Sequence, residues 1–174
     1  MEFEGESDIA AIAGKEKRIM DPKSLEMLFG YNHLTLHENI KGLSHADSLL
    51  QPYPGGNCLN WVLGHIVATR NHVLKLLNKE PILNEEEAAL YKRGSPPVAD
   101  GARALPLERL LSDLDLSQKL IVAGLKEASE ADFRVLAGNE TVGRQLALLH
   151  FHEAYHTGQT GLLRRLAGKE GAIK

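Results

Sequence analysis

Apolar residues recur along most of this chain at three- and four-residue steps, the spacing of one face of an α-helix. The first such segment runs from Pro22 to Gly42 and follows Asp21, so that it starts with an Asp-Pro pair typical of helix starts. A second runs from Cys58 to Asn78, a third opens at Pro106, and a fourth extends from a Thr141 cap to Gly168. No window alternates in the manner of a long strand. The pattern therefore predicts four amphipathic helices.

The connection between the second and third helices is long and polar. It is broken by Gly94-Ser95-Pro96-Pro97 and contains a short helical pattern from about Glu85 to Tyr91. Four amphipathic helices with one long crossover predict an all-α four-helix bundle, in which metal sites are built from side chains on facing helices.

A length of 174 residues suits a single domain. We expect residues 1–20 to be an N-terminal lead, either a vector-derived extension or a short extra helix, residues 21–168 to form the bundle, and residues 169–174 to form a tail. The lead has neither the basic region and long apolar run of a secretory signal nor a membrane span. Cys58 is the single cysteine, which excludes an internal disulfide. We expect a cytoplasmic protein.

The charge of the chain limits its partners. Charged residues make up 25% of the sequence and the net charge is −3, so there is no general attraction to nucleic acid or to an anionic membrane. We expect a small-molecule substrate, and neither nucleic acid nor membrane as a partner.

The fourth segment contains a His-Glu-x-x-His string, His152-Glu153-Ala154-Tyr155-His156. In zinc proteases this string supplies two metal ligands and a general base, and the third ligand follows downstream. Here the residues after His156 include no histidine, and Glu170 lies beyond the predicted helix end. A protease is therefore the least favoured of the functions considered.

Both histidines of the string are expected to project into the bundle. On a helical projection they lie close to a predicted core stripe through Leu149, Leu163 and Leu166, one turn apart. At this spacing two imidazole nitrogens reach one ion, and a metal site is favoured over a hydrogen-bonded core pair.

The third ligand is expected from another helix. His65 lies on the apolar face of the second helix beside Gly64, and His72 lies about 10 Å further along the axis, so only one of the two can share the ion. His33 and His37 also stand four residues apart, yet they fall roughly 70–110° from the apolar stripe of the first helix. We predict boundary or solvent positions for that pair.

Two segments carry a resemblance to a known family. The segment NWVLGHIVATRNHVLKLL resembles the second helix of the DinB/YfiT-like family, and HFHEAYHTGQTGLLRRLAG resembles its last helix. The similarity extends from about Met20 to Gly168 and implies that His65, His152 and His156 hold a divalent metal, often zinc or nickel. It also implies a four-helix bundle, a homodimer, and an activity like those of the family's thiol-dependent S-transferases and isomerase.

Several polar residues are candidates for the surroundings of this site. Asn32 is expected to point inward from the first helix, and Gln145 and Gln159 share the histidine face of the last helix. Glu153 is about 60–100° off that face, as either an orienter of an imidazole N–H or a plain boundary carboxylate. Tyr155 and Trp61 are read as packing residues, and no catalytic base is assigned.

Two hypotheses remain. The first is a metal-dependent enzyme that activates water or a low-molecular-weight thiol cosubstrate for hydrolysis or S-transfer on a small electrophile. The second is a non-catalytic, metal-stabilised dimeric bundle. Structural zinc normally has four protein ligands, and only three good ones are found, which favours the enzyme.

Overall fold

The computed structural model describes residues 20–52, 55–98 and 103–173. In this part of the chain the helices are α1 (Pro22–Ile40), α2 (His45–Ser48), α3 (Leu59–Leu76), α4 (Glu85–Leu90), α5 (Leu107–Glu127), α6 (Glu130–Phe133) and α7 (Val142–Leu166). The four long helices α1, α3, α5 and α7 confirm the predicted all-α bundle, and α4 lies within the expected long crossover. Residues 1–19 of the expected N-terminal lead lie outside the described residues.

The helix ends follow the local sequence signals. The Asp21 carboxylate accepts a hydrogen bond from the first-turn N–H of Ser24 at 2.9 Å, and the Thr141 hydroxyl caps α7 in the same way at 3.4 Å. Beyond the C-terminal ends of α1 and α7, Gly42 and Gly168 have φ angles of 75° and 73°. This left-handed conformation favours glycine, which is why both helices stop where the sequence indicates.

A small hairpin precedes the last helix. Strands β1 (Leu136–Ala137) and β2 (Glu140–Thr141) are antiparallel, with Leu136 opposite Thr141 and Ala137 opposite Glu140. Two residues per strand are too few for alternation to be visible in a sequence, so this ladder was not expected. It leads the chain directly into α7.

The long helices pack in a ring. Helices α1 and α3 each pack chiefly against α5 and α7, which gives the order α1–α7–α3–α5. The α3/α7 seam and the α1/α5 seam therefore share no helix and lie on opposite sides of the bundle. No helix in the described ranges is both long and apolar enough to cross a membrane.

The last helix buries a polar face. Glu153, Thr157 and Thr160 are 3%, 4% and 0% exposed, whereas Leu166, which was expected in the core, is 47% exposed. The prediction for Leu166 is wrong: the buried face is centred near Glu153, about 90° around the helix from the predicted stripe. Polar side chains are tolerated there because each has hydrogen-bond partners, as in the 3.0 Å bond from Asn39 to the Thr160 hydroxyl.

Candidate metal centre

Three imidazoles converge at the α3/α7 seam. His65 comes from α3, and His152 and His156 come from successive turns of α7. The Nε2 atom of His152 lies 3.1 Å from the Nε2 atom of His65 and 3.2 Å from that of His156. The structure therefore brings together the three histidines that the sequence singled out.

The outer nitrogens of two of these rings are held by acceptors. The Nδ1 atom of His65 lies 2.6 Å from the Tyr91 carbonyl oxygen, and the Nδ1 atom of His156 lies 2.8 Å from the amide oxygen of Gln159. With Nδ1–H as the donor in both contacts, each Nε2 atom directs its lone pair toward the third ring. Gln159 thus contacts the ligand set directly.

The donor set fits a divalent cation. When all three rings are neutral, the Nε2 atom of His152 carries at most one proton and can donate it to only one of its two neighbours. The lone pair of the other neighbour then faces a nitrogen that offers it no hydrogen bond. A shared cation satisfies all three nitrogens at once. Two nitrogens bound at about 2.0–2.1 Å in tetrahedral geometry lie roughly 3.3 Å apart, close to the observed 3.1 and 3.2 Å.

Burial keeps these imidazoles neutral. It lowers the pKa of His65 and of His152, and it lowers the pKa of His156 to about 4. The neighbouring imidazoles depress the pKa of His152 and of His156 further. Neutral rings are the form that binds metal, so the site is ready for a cation near pH 7.

Gly64 places the acceptor of His65. A Cβ atom at Gly64 would lie 2.3 Å from Cδ1 of Tyr91, so only glycine leaves room for that ring. The Tyr91 hydroxyl accepts a hydrogen bond from the Leu105 N–H at 2.7 Å and donates to Asn60 Oδ1 at 3.2 Å. The Tyr91 carbonyl is therefore fixed against His65. In the sequence, the one sign of this arrangement was the glycine next to His65.

Aromatic rings flank the site on two sides. Trp61 is buried and stacks on His65 with a centroid separation of 4.8 Å and an interplanar angle of 11°. Tyr155 meets the edge of His156 at 5.1 Å, yet it is 61% exposed. Trp61 is a packing residue as expected, whereas the same expectation for Tyr155 is wrong. The site lies at the edge of the bundle, between a buried and an exposed ring.

Glu153 forms a buried ion pair. Its two carboxylate oxygens accept hydrogen bonds from Nε and Nη2 of Arg70, each at 2.8 Å, and Arg70 is only 1% exposed. Nη1 of Arg70 also donates to the Leu114 carbonyl and the Ser117 hydroxyl, both at 3.0 Å. The expectation of a boundary carboxylate is wrong, and the carboxylate is bonded to Arg70 instead of to an imidazole. Sequence reasoning missed Arg70 because nothing local marks it as buried.

Neither of the other two polar candidates is hydrogen-bonded to an imidazole of the site among the described residues. Asn32 is buried at 8% exposure, as expected, and its Nδ2 atom has no hydrogen-bond partner among the described residues. The Gln145 amide donates to the Ala137 and Glu140 carbonyls of the hairpin. Since Gln145 lies about 10 Å along the axis from His152, it ties α7 to the hairpin and does not orient the imidazoles.

Comparisons with known proteins agree with this architecture. Residues 33–160, more than half of the chain, match the family described as the DinB superfamily. The fold resembles the crystal structure of a conserved protein from Enterococcus faecalis, with 18% identity, a TM-score of 0.68, and coverage of 86% of this chain and 99% of that chain. At this identity the likeness shows the fold alone. No curated protein sequence matches the chain at a significant level.

Proposed function

This chain belongs to the DinB superfamily, and from that premise we propose that it is a divalent-metal-dependent enzyme. The observation that carries the proposal is the three-imidazole group formed by His65, His152 and His156. In the described part of the chain no fourth His, Cys, Asp or Glu side chain joins this group. Structural zinc sites normally have four protein ligands, whereas catalytic sites have three and an open position.

The proposed reaction is attack on a small electrophile. A divalent ion at this site, zinc or nickel, lowers the pKa of a bound water or thiol toward neutrality. Attack by water gives hydrolysis, and attack by a low-molecular-weight thiol cosubstrate gives S-transfer. Hydrogen bonds to Tyr91 and Gln159 orient the rings of His65 and His156 so that their Nε2 atoms face the metal position. Trp61 covers one side of the site against water.

The proposal includes a homodimer. One side of α7 carries a stripe of exposed apolar side chains, Leu148, Phe151, Tyr155 and Leu162, which are 61–71% exposed. The neighbouring helix α1 exposes Met27, Tyr31 and Leu34 at helical spacing. An apolar patch of this extent is typical of a protein interface, and two copies that pair through this patch cover each other's stripe.

Light scattering tests this directly: Leu162→Lys is expected to convert a dimer into a monomer, and a monomeric wild-type protein contradicts the proposal.

The remaining partners follow from composition. A net charge of −3 supports a small-molecule substrate over nucleic acid or an anionic membrane. The single free cysteine, Cys58, is buried, which suits a reducing compartment. We therefore place the protein in the cytoplasm.

The test is turnover by the metal-loaded protein. Zinc- and nickel-loaded samples are incubated with a panel of small electrophiles, in water alone and with each of several cellular thiols, and consumption of both reactants is followed by chromatography. We expect consumption that His156→Ala abolishes and His72→Ala preserves, since His72 is an exposed histidine on α3. Absence of turnover across the panel, together with complete loss of helical circular dichroism in chelator, favours the non-catalytic, metal-stabilised bundle instead.

A further inference from the structure

A second cluster of metal-ligating side chains lies at the α1/α5 seam. It consists of His33 and His37 from α1 and Asp115 from α5. The Oδ1 atom of Asp115 is 2.7 Å from Nε2 of His37 and 3.4 Å from Nε2 of His33. One carboxylate oxygen therefore faces two imidazole nitrogens. His33 and His37 are 19% and 37% exposed, which agrees with the predicted boundary positions, but their contact with Asp115 was not predicted.

The histidine pair of this cluster repeats the geometry of the pair on α7. The rings of His33 and His37 have a centroid separation of 4.6 Å and an interplanar angle of 65°. The corresponding values for His152 and His156 are 4.5 Å and 68°. In both cases two rings one turn apart present Nε2 to a ligand atom on the facing helix. A simple histidine–carboxylate hydrogen bond needs only one imidazole, so it does not account for the second ring.

His33 is poorly satisfied without a further partner. Its Nδ1 atom is buried and has no hydrogen-bond partner among the described residues. Its Nε2 atom faces the Asp115 carboxylate at 3.4 Å, which is longer than a usual hydrogen bond and leaves this nitrogen accessible to a metal ion.

The cluster is accessible from solvent. The side chains of His37 and Asp115 are 37% and 45% exposed. His37 also lines a surface cavity of about 370 Å³, together with Ile40, Leu43 and Leu111. An ion has a path to the cluster, and water or a small ligand can complete its coordination from the cavity.

We propose that His33, His37 and Asp115 form a second divalent-metal site, separate from the three-histidine site on the opposite seam. Two imidazoles and one carboxylate suit borderline ions such as Zn²⁺, Co²⁺ and Fe²⁺. An ion that binds here would displace the proton of the His37–Asp115 hydrogen bond, which is released to solvent. The carboxylate would give the ion one more negative ligand charge than the three-histidine site does, and three protein ligands would again leave an open position for water.

The test counts ions per chain. Metal-free protein is titrated with Zn²⁺ by calorimetry, and the zinc retained after desalting is measured by elemental analysis. We expect two ions in the wild type, one in His37→Ala and in Asp115→Asn, one in His156→Ala, and none in the combined His156→Ala and Asp115→Asn variant. His72→Ala, which removes an exposed ligand-type side chain from α3, is the matched control and should retain two.

Asp115→Asn keeps the shape of a half-exposed side chain, so circular dichroism should match the wild type. The second site is refuted by a wild type that binds a single ion which His156→Ala loses and Asp115→Asn retains, or by a second ion that persists in both His37→Ala and Asp115→Asn. Because His156→Ala reports on the other seam, failure of the three-histidine site is seen separately.

Discussion

Glu153→Gln is the most informative single substitution in this protein. The side chain keeps its shape, so no cavity forms, but the substitution removes the negative charge and replaces one acceptor oxygen with an NH2 group that faces an Arg70 N–H donor. In a zinc protease the same change removes the general base and leaves the fold intact. Here Glu153 pairs with a guanidinium that is 1% exposed, so the substitution should act on stability.

The size of the effect follows from the contacts of Arg70. Removing one partner of a buried ion pair typically costs about 3–5 kcal/mol, because the remaining charge is left in a low-dielectric interior. Two of the four hydrogen bonds of Arg70, to Leu114 and Ser117, survive the substitution, and the new amide oxygen still accepts one more. We therefore expect a loss at the low end of that range, about 3 kcal/mol.

The assay is equilibrium unfolding in urea. With a slope of about 2 kcal/mol/M, a loss of about 3 kcal/mol lowers the midpoint by roughly 1.5 M. The combined Arg70→Met and Glu153→Leu variant removes both charges and should recover to within about 1 kcal/mol of the wild type. The zinc content of the three-histidine site should be unchanged in Glu153→Gln below the unfolding transition.

Two results would refute this reasoning. An unchanged urea midpoint in Glu153→Gln would mean that the ion pair contributes nothing to the fold. Cleavage of casein by the wild type that disappears in a stable, metal-loaded Glu153→Gln would identify Glu153 as a catalytic base and restore the protease interpretation.

Three further predictions concern the metal site and the charge state of the histidines. Gly64→Ala should displace Tyr91 and weaken zinc binding about 10–100-fold, the usual effect of losing a ligand's outer partner; an unchanged Kd by calorimetry contradicts this. A chelator should lower the Tm but leave helical circular dichroism intact at room temperature, since apolar packing holds the helices; complete unfolding argues against it. In metal-free protein, His33 and His156 have a pKa of about 4 when folded and an ordinary value of 6.5 when unfolded, so the unfolded chain takes up protons first. The Tm should therefore fall as the pH decreases from about 6.5 to 4; a Tm that rises over this interval contradicts the assignment.

The fold was predictable because helix signals are local. Caps such as Asp21 and Thr141, a glycine after each of two helices, and apolar residues at helical spacing are all visible without knowledge of neighbours. The convergence of His65, His152 and His156 was predictable for a similar reason, since two of them are one helical turn apart and the third lies in a recognisable segment.

Burial of polar side chains was not predictable in this way. The rotation of α7 was misjudged because leucines normally mark the core, whereas here Glu153 and Thr160 are buried with partners from α3 and α1. Those partners, Arg70 and Asn39, are more than 80 residues away in sequence. The pairing of His33 and His37 with Asp115 is similarly remote, and helical projection of α1 alone indicated boundary or solvent positions without a partner. In each case the deciding contact lies between helices and leaves no local pattern.

The Gly64–Tyr91 contact determines how this site can vary during evolution. The atom that orients His65 is a backbone carbonyl, which every residue type possesses, so no substitution at position 91 removes the acceptor itself. Such a substitution changes only where the carbonyl lies. Metal affinity is therefore adjustable in small steps through side-chain volume at positions 64 and 91, while all three ligands remain in place.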